Sequence, residues 1–333
     1  MSEAEGVLIL GEILDGNLAP ITGELLGCGR KLVDDLGEPL LAAFLGTGIS
    51  AVAEGSIPQG ADRVYIADNP YLHTYQTDAY VQVLEKMCKD LSPRILLMGQ
   101  TAVGRDLAPR LAFRLAVGLS TDCIDLKIDP ASKELLQTRP IYGGNVQAIF
   151  AIESRHPHMA TIRSKAFSPL EPDAGRRGDV VYYSTEIDGS KIKTKFIRKV
   201  KEEVTGVKLE EAKAVVAGGR GIDGPEGFRK LEELAKILGG AVGATRPPCD
   251  YSWVPSTWQV GLTGKIVTPA LYIAVGISGA SQHMSGCSGA KNIIAINKDP
   301  DAAIFQEACF GVVGDYKQIL PAFTHKVKQL LDK

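Results

Sequence analysis

The chain has 333 residues, a formal net charge of -2, 45% hydrophobic and 23% charged residues. That length exceeds one ordinary core and makes two domains of ~150 residues the default. The balanced charge gives no reason to expect nucleic-acid binding, and no apolar run approaches the ~20 residues needed to cross a bilayer, so membrane insertion is not expected either.

The start carries acidic Glu3 and Glu5 and leads straight into an apolar run, Val7–Leu10. It reads as neither a signal nor a transit peptide, and the expected compartment is a bacterial or archaeal cytoplasm. Short apolar runs at Val7–Leu10, Leu40–Leu45, Val64–Ala67 and Ile95–Met98 are predicted strands. They alternate with segments of helical apolar spacing at Leu25–Leu36, Thr77–Leu91 and Asp106–Leu115. Such alternation predicts βαβ crossovers and a mostly parallel sheet. From Thr121 to Ser184 the pattern becomes strand-rich (Cys123–Ile128, Val146–Ile152, Met159–Ile162, Val180–Ser184), and the sheet is expected to gain antiparallel strands there.

Residues 191–213 hold seven Lys and one Arg and form the linker expected between a first domain, 1–190, and a second, 214–333. Glu residues follow the basic ones at once and Phe196 is the single aromatic among them, so this reads as a solvated edge and short linker and not a nucleic-acid patch. The second domain reads as strand Ala214–Ala217, a glycine turn at 218–224, helix Pro225–Leu238 and strands at Val242–Ala244, Leu271–Val275, Ile293–Ile296 and Val312–Val313. Helix Tyr316–Leu331 closes it. The fold class is therefore α/β, with two Rossmann-like domains, the second doubly wound.

The six cysteines form no C-x-x-C pair and read as reduced, packed thiols. His156 and His158 lie two apart, but no thiol or carboxylate cluster supports a metal there, and none is expected.

Chemistry concentrates in the second domain. Two glycine-rich turns, Gln259-Val260-Gly261-Leu262-Thr263-Gly264-Lys265 and Gly276-Ile277-Ser278-Gly279-Ala280-Ser281-Gln282-His283, should meet at one edge of a parallel sheet, where cofactors bind. Glycine lets the backbone approach a ligand, and free N–H groups bind anionic oxygens. A third turn, Gly219-Arg220-Gly221-Ile222-Asp223-Gly224, matches G-x-G-x-x-G between a strand and a helix. An NAD site usually ends the next strand on an acidic residue. Here that strand ends in Thr245 and Arg246, which disfavours NAD and leaves an NADP clamp or a cation for some other anionic group. Arg246, between a strand end and Pro247-Pro248, reads as a site residue, as does His283 after its Ser-rich turn. Thr263 fits a site or a turn cap equally well. Asp315 ends the last strand, on the ligand-binding edge, while Trp253 and Trp258 read as packing groups.

These segments, with Val242-Gly243-Ala244-Thr245-Arg246 and Ile296-Asn297-Lys298-Asp299-Pro300, resemble the alpha subunit of electron-transfer flavoprotein. Gly104-Arg105-Asp106-Leu107-Ala108-Pro109-Arg110, Thr121-Asp122-Cys123 and Arg139-Pro140-Ile141-Tyr142-Gly143-Gly144-Asn145 extend the resemblance over nearly the whole chain. It implies an αβ heterodimer with a beta subunit, the first domain packing on that subunit. FAD would be held by the second domain, and AMP or a second FAD by the beta subunit. It implies transfer of electrons from dehydrogenases, such as acyl-CoA dehydrogenases, to a quinone oxidoreductase or other acceptor.

By the same resemblance, Arg220 lies near the pyrophosphate or adenosine with Thr245 bonding nearby, and Arg246 sits over the flavin ring. Thr263 donates at its N5 region and His283 sits by the pyrimidine carbonyl, so that Arg246, Thr263 and His283 tune its potential. Ser278, Gly279, Ala280, Ser281 and Gln282 wrap the ribityl chain and phosphates, and Gln259, Val260, Gly261, Leu262, Gly276 and Tyr316 also bind the cofactor. Asn297 and Asp315 hold the adenosine end. Leu262 departs from the Gln usual in the family. It loses a side-chain donor while its backbone N–H is expected to survive, and it is similar to a nitrogen-fixation branch with some electron-bifurcating members. A bifurcating enzyme that oxidises NADH at a second FAD is thus the alternative. An NADP-dependent dehydrogenase would rest on Arg246 alone.

Overall fold

A computed structural model describes residues 4–142, 146–152, 155–184, 186–198 and 207–331. The chain splits into two compact units, Met1–Ile141 with Gln147–Lys199, and Tyr142–Val146 with Val200–Lys333. Of the expected linker, residues 199–206 lie outside the described part, as do Gly143, Gly144 and Asn145.

The first unit contains β1 (Val7–Leu10), a small hairpin of β2 (Ile13–Leu14) and β3 (Asn17–Leu18), α1 (Pro20–Leu36), β4 (Leu40–Gly46), α2 (Ser50–Glu54), β5 (Arg63–Asp68), α3 (Thr77–Leu91), β6 (Ile95–Gly99) and α4 (Ala102–Leu115). Then come β7 (Leu119–Cys123), β8 (Asp125–Ile128), β9 (Leu135–Ile141), β10 (Val146–Ala151), β11 (His158–Ile162) and β12 (Asp179–Tyr182). Seven strands form one sheet in the order β12-β5-β4-β1-β6-β11-β7, and their registered pairs are parallel. Strands β1, β4, β6 and β11 are buried along their whole length, as strands covered by helices on both faces must be.

The antiparallel strands are present but do not lengthen this sheet. β8 and β9 pair antiparallel and build a separate three-stranded sheet with β10, whereas β11 and β12 join the main sheet in parallel. The expected single strand Cys123–Ile128 is split because Asp122 takes a left-handed φ of 63°. Arg163 grips the Asp122 carboxylate through two nitrogens, at 2.9 and 2.6 Å, and the chain leaves the main sheet there.

The helix expected from Leu25 begins instead at Pro20, whose fixed φ suits a first helical position. Gly37, in the left-handed region at φ 73°, ends that helix with its N–H on the Val33 carbonyl. The G-R-D stretch at 104–106 is a helix start: Thr101 caps α4 by accepting from Gly104 N–H, and Asp106 accepts from the hydroxyls of Tyr75 and Thr77, tying α4 to α3.

The second unit runs β13 (Ala214–Gly218), α5 (Pro225–Ile237), β14 (Ala241–Ala244), α6 (Arg246–Asp250), β15 (Leu271–Val275), α7 (Ser281–Met284), β16 (Ile293–Asn297), α8 (Ile304–Glu307), β17 (Phe310–Val313) and α9 (Tyr316–Leu331). Its five strands, in the order β14-β13-β15-β16-β17, are parallel throughout. The direction of winding reverses between β13 and β15, and the crevice outside their carboxyl ends is where open α/β sheets take ligands. The short helices α6, α7 and α8 have too few residues for a period to be read, which is why the sequence pattern misses them.

One face of this sheet packs on α5 and α9 around Val216, Phe228, Leu231, Ile273, Ile296 and Leu320, with Trp253 and Trp258 half-buried against the same cluster. Phe228 is 1% exposed. Truncating Phe228→Ala should cost ~3–5 kcal/mol. Both tryptophans of the chain are in this unit, so their fluorescence in a urea titration reads its unfolding; an unchanged midpoint would contradict this packing.

Candidate functional site

The carboxyl ends of β13 and β15 are bound to each other by backbone alone. Gly219 N–H donates to the Val275 carbonyl at 3.0 Å, and Gly221 N–H to the Gly276 carbonyl at 3.0 Å. A Cβ on Gly219 would lie 2.2 Å from the Gly276 oxygen, so no other residue fits without moving one turn off the other. Gly276 itself sits at φ 61°. The glycines of G-x-G therefore serve strand-end contact as much as ligand approach.

The third turn is anchored beside them. Val260 N–H donates to the Ala244 carbonyl at 2.9 Å, at the end of β14. Lys265 N–H closes the turn on the Gln259 carbonyl at 2.7 Å, and Leu262 N–H reaches the Gln282 carbonyl in α7 at 2.7 Å. The three turns and the end of β16 thus frame one cavity of about 950 Å³.

Most of the residues singled out in the sequence share its wall: Arg220, Thr245, Arg246, Gln259, Val260, Gly261, Leu262, Thr263, Gly276, Ser278, Ala280, Gln282, His283, Asn297, Asp315 and Tyr316. Gly279 and Ser281 are not on it. Gly279, at φ 86°, lets the chain pass the start of α8, since a Cβ there would lie 2.2 Å from Ile304 N. Ser281 turns its hydroxyl to Gln282 Oε1 at 3.4 Å, and its carbonyl accepts from Ser285. Lys298, Lys317, Asp223 and Asp299 line the cavity without having been picked out. Lys298 and Asp299 sit within the Ile296–Pro300 stretch, whose position after a strand was the available signal. Four cations (Arg220, Arg246, Lys298, Lys317) face three carboxylates (Asp223, Asp299, Asp315).

Several side chains have work inside the protein. Asn297 donates to the Ile277 carbonyl at 2.8 Å and accepts from Asp299 N–H at 3.1 Å, so it braces the second glycine turn against β16. Asp315 accepts from Lys317 N–H at 2.8 Å at the start of α9, and the Tyr316 hydroxyl donates to the Ile222 carbonyl at 2.7 Å. Arg246 holds Asp250 one helical turn on, Nε to Oδ2 at 3.2 Å, with its side chain 67% exposed. Its terminal amino groups form no bond among the described residues. Thr245 is buried and its hydroxyl caps nothing in α6.

One expectation needs correction, and His283 is already bonded within the protein. The Leu262 backbone N–H is not left for a ligand, because Gln282 already accepts it. His283 is 6% exposed, and both ring nitrogens have protein partners. Nδ1 lies 3.0 Å from the Val260 carbonyl, which can only accept, so Nδ1 carries the proton. Nε2 then accepts from the Tyr272 hydroxyl at 2.9 Å. Burial pulls the imidazole from its ordinary 6.5 to about 4, against the opposing bond to Val260, and it is neutral near pH 7.

The comparisons bear on this geometry. Residues 7–187 match the model described as electron transfer flavoprotein domain, and residues 208–288 the electron transfer flavoprotein FAD-binding domain. The chain belongs to the electron transfer flavoprotein alpha-subunit family. It is 43% identical to the electron transfer flavoprotein subunit alpha of Thermoanaerobacterium thermosaccharolyticum, covering 99% of this chain and 100% of that one. It is 40% identical to protein FixB of Clostridium saccharobutylicum, over 99% and 98% of the two chains. It is 37% identical to the lactate dehydrogenase (NAD(+),ferredoxin) subunit LctC of Acetobacterium woodii, over 95% and 75%. No helix among the described residues is long and apolar enough to cross a membrane.

His283 gives a pH test. Between about 4 and 6.5 the unfolded chain binds a proton that the folded chain does not, so stability falls as pH falls through that window. By pH 5 this one group should cost ~2 kcal/mol relative to pH 7. The stability gap between wild type and His283→Gln, from urea midpoints, should therefore narrow by about that amount. Parallel pH profiles would show that His283 is not held neutral.

Proposed function

We propose that this chain binds FAD in the second unit's cavity and, with a beta subunit, carries electrons from dehydrogenases such as acyl-CoA dehydrogenases to a quinone oxidoreductase or another acceptor. The observation that carries the reading is the cavity itself: three glycine turns converge on it at the sheet's switch point, and cations line it. Its size suits a large cofactor. The donor set suits a diphosphate at one end and an electron-accepting ring at the other.

The residues divide the work. Arg220 and the backbone N–H groups around Ser278 would hold the phosphates, where anionic oxygens need fixed donors. Arg246, with Nε tied to Asp250, would present its guanidinium to the ring and favour added negative charge there. Thr263 would donate from its hydroxyl. His283, neutral and bonded on both sides, would shape the turn and carry no charge. When bound, the flavin supplies the capacity to take and pass electrons, so no nucleophile or general acid is required of the protein. The first domain, 1–190, would pack on the beta subunit, with residues 191–213 as the connection to the second, 214–333. The compartment would be cytoplasmic.

A second reading is favoured by Leu262 and by the LctC relative, whose name includes NAD(+) and ferredoxin. Here the chain would belong to a bifurcating complex in which a second FAD in the beta subunit oxidises NADH. Co-expression with a beta subunit and chromatographic nucleotide analysis separate the two. One FAD and one AMP per heterodimer supports the carrier, two FAD supports bifurcation, and a folded dimer without flavin rejects both. In the flavin-loaded dimer, Arg246→Ala should lower the flavin potential by ~60 mV or more, a tenfold change per one-electron step. An unchanged potential would remove Arg246 from the tuning role.

A further inference from the structure

We infer that Gln259 is a positioning residue that commits the Thr263 hydroxyl to donate into the cavity, an inference that rests on flavin binding there. Gln259 Nε2 donates to Thr263 Oγ1 at 2.8 Å, and both residues line the cavity. A hydroxyl has one proton and two acceptor sites. With the carboxamide N–H on one acceptor site, the proton must turn elsewhere, and no group among the described residues receives it. A hydroxyl without this partner could rotate and accept just as readily as donate.

The frame of the turn makes this consequential. The Gln259 carbonyl is held by Lys265 N–H at 2.7 Å, and Val260 is fixed on both sides, by the Ala244 carbonyl at 2.9 Å and by His283 Nδ1 at 3.0 Å. Leu262 offers no substitute donor: its side chain is apolar and its N–H is bonded to Gln282 at 2.7 Å. The hydroxyl of Thr263 is the directional donor that the Leu262–Thr263 corner presents, and Gln259 sets its direction. A donor fixed toward a reducible ring favours the reduced, more negative form and raises the potential.

The test uses the full chain co-expressed with its beta subunit. FAD content of the wild-type dimer is measured first; a folded dimer without flavin overturns the binding reading itself. Midpoint potentials by spectroelectrochemical titration, with the dissociation constant for FAD, are then compared for wild type, Gln259→Leu, Thr263→Val and the double variant. Each single change should lower the potential by ~59 mV, a tenfold effect per one-electron step. The double should shift no further than Thr263→Val, because Gln259 acts only through the hydroxyl. Thr263→Ser should keep the wild-type potential. Additive shifts in the double variant, or a wild-type potential in Gln259→Leu, would overturn the proposal. If Gln259→Leu loses flavin, Gln259→Met, closer in length, enters the same cycle with the same expectations.

Discussion

The site depends on one close contact, the backbone of Gly219 and Gly221 against Gly276. It joins the ends of the first and third strands of a parallel sheet at the place where the winding reverses. Helices leave from both strand ends, so side chains there would hold the turns apart. Without Cβ atoms the two carbonyl–amide pairs close at 3.0 Å, and the crevice beyond them is walled by backbone. The third turn is set by the same sheet, since Gln259 forms a parallel bridge with Ala244 at the end of β14 and Val260 N–H donates to the Ala244 carbonyl. Geometry at the cavity is thus inherited from strand register, which is stiffer than loop packing.

The first unit carries the same architecture with a different side chain at its switch point. Its sheet also reverses, between β1 and β6. There the space just past the strand ends holds Glu12, whose carboxylate accepts from Thr101 at 2.7 Å. Burial raises the Glu12 carboxyl above its usual range, against the lowering effect of that bond. Both first strands are followed by a glycine, Gly11 and Gly219, and the two sheets differ at the next residue, Glu12 in one unit and Arg220 in the other.

Much of this was legible from the chain. The long buried strands and the helices with clear period, Thr77–Leu91 and Tyr316–Leu331 among them, were readable because burial on both faces and helical spacing leave strong patterns. The glycine turns were legible as a group, and so was their common edge. What periodicity could not carry was short or tertiary. Helix α6 begins with Arg246-Pro247-Pro248 and spans five residues, too few for a pattern. The departure at Asp122 is held by Arg163, 41 positions away. The occupation of Leu262 N–H and of both His283 nitrogens depends on α7 packing against the turn, and no local pattern encodes that.

The His283 outcome also separates two kinds of polar residue at a cofactor cavity. A histidine with a free nitrogen would let charge at the site follow pH. Here the imidazole is locked between Val260 and Tyr272, with the Cys287 thiol packed behind against the His283 carbonyl at 3.7 Å. Burial pushes that thiol up to about 12, so it too stays neutral. The buried layer beneath the turn is uncharged throughout, and positive charge comes from arginine and lysine on the open wall. Arginine stays protonated at any physiological pH. Fixed direction is supplied from below by neutral hydrogen bonds, and positive charge from the rim.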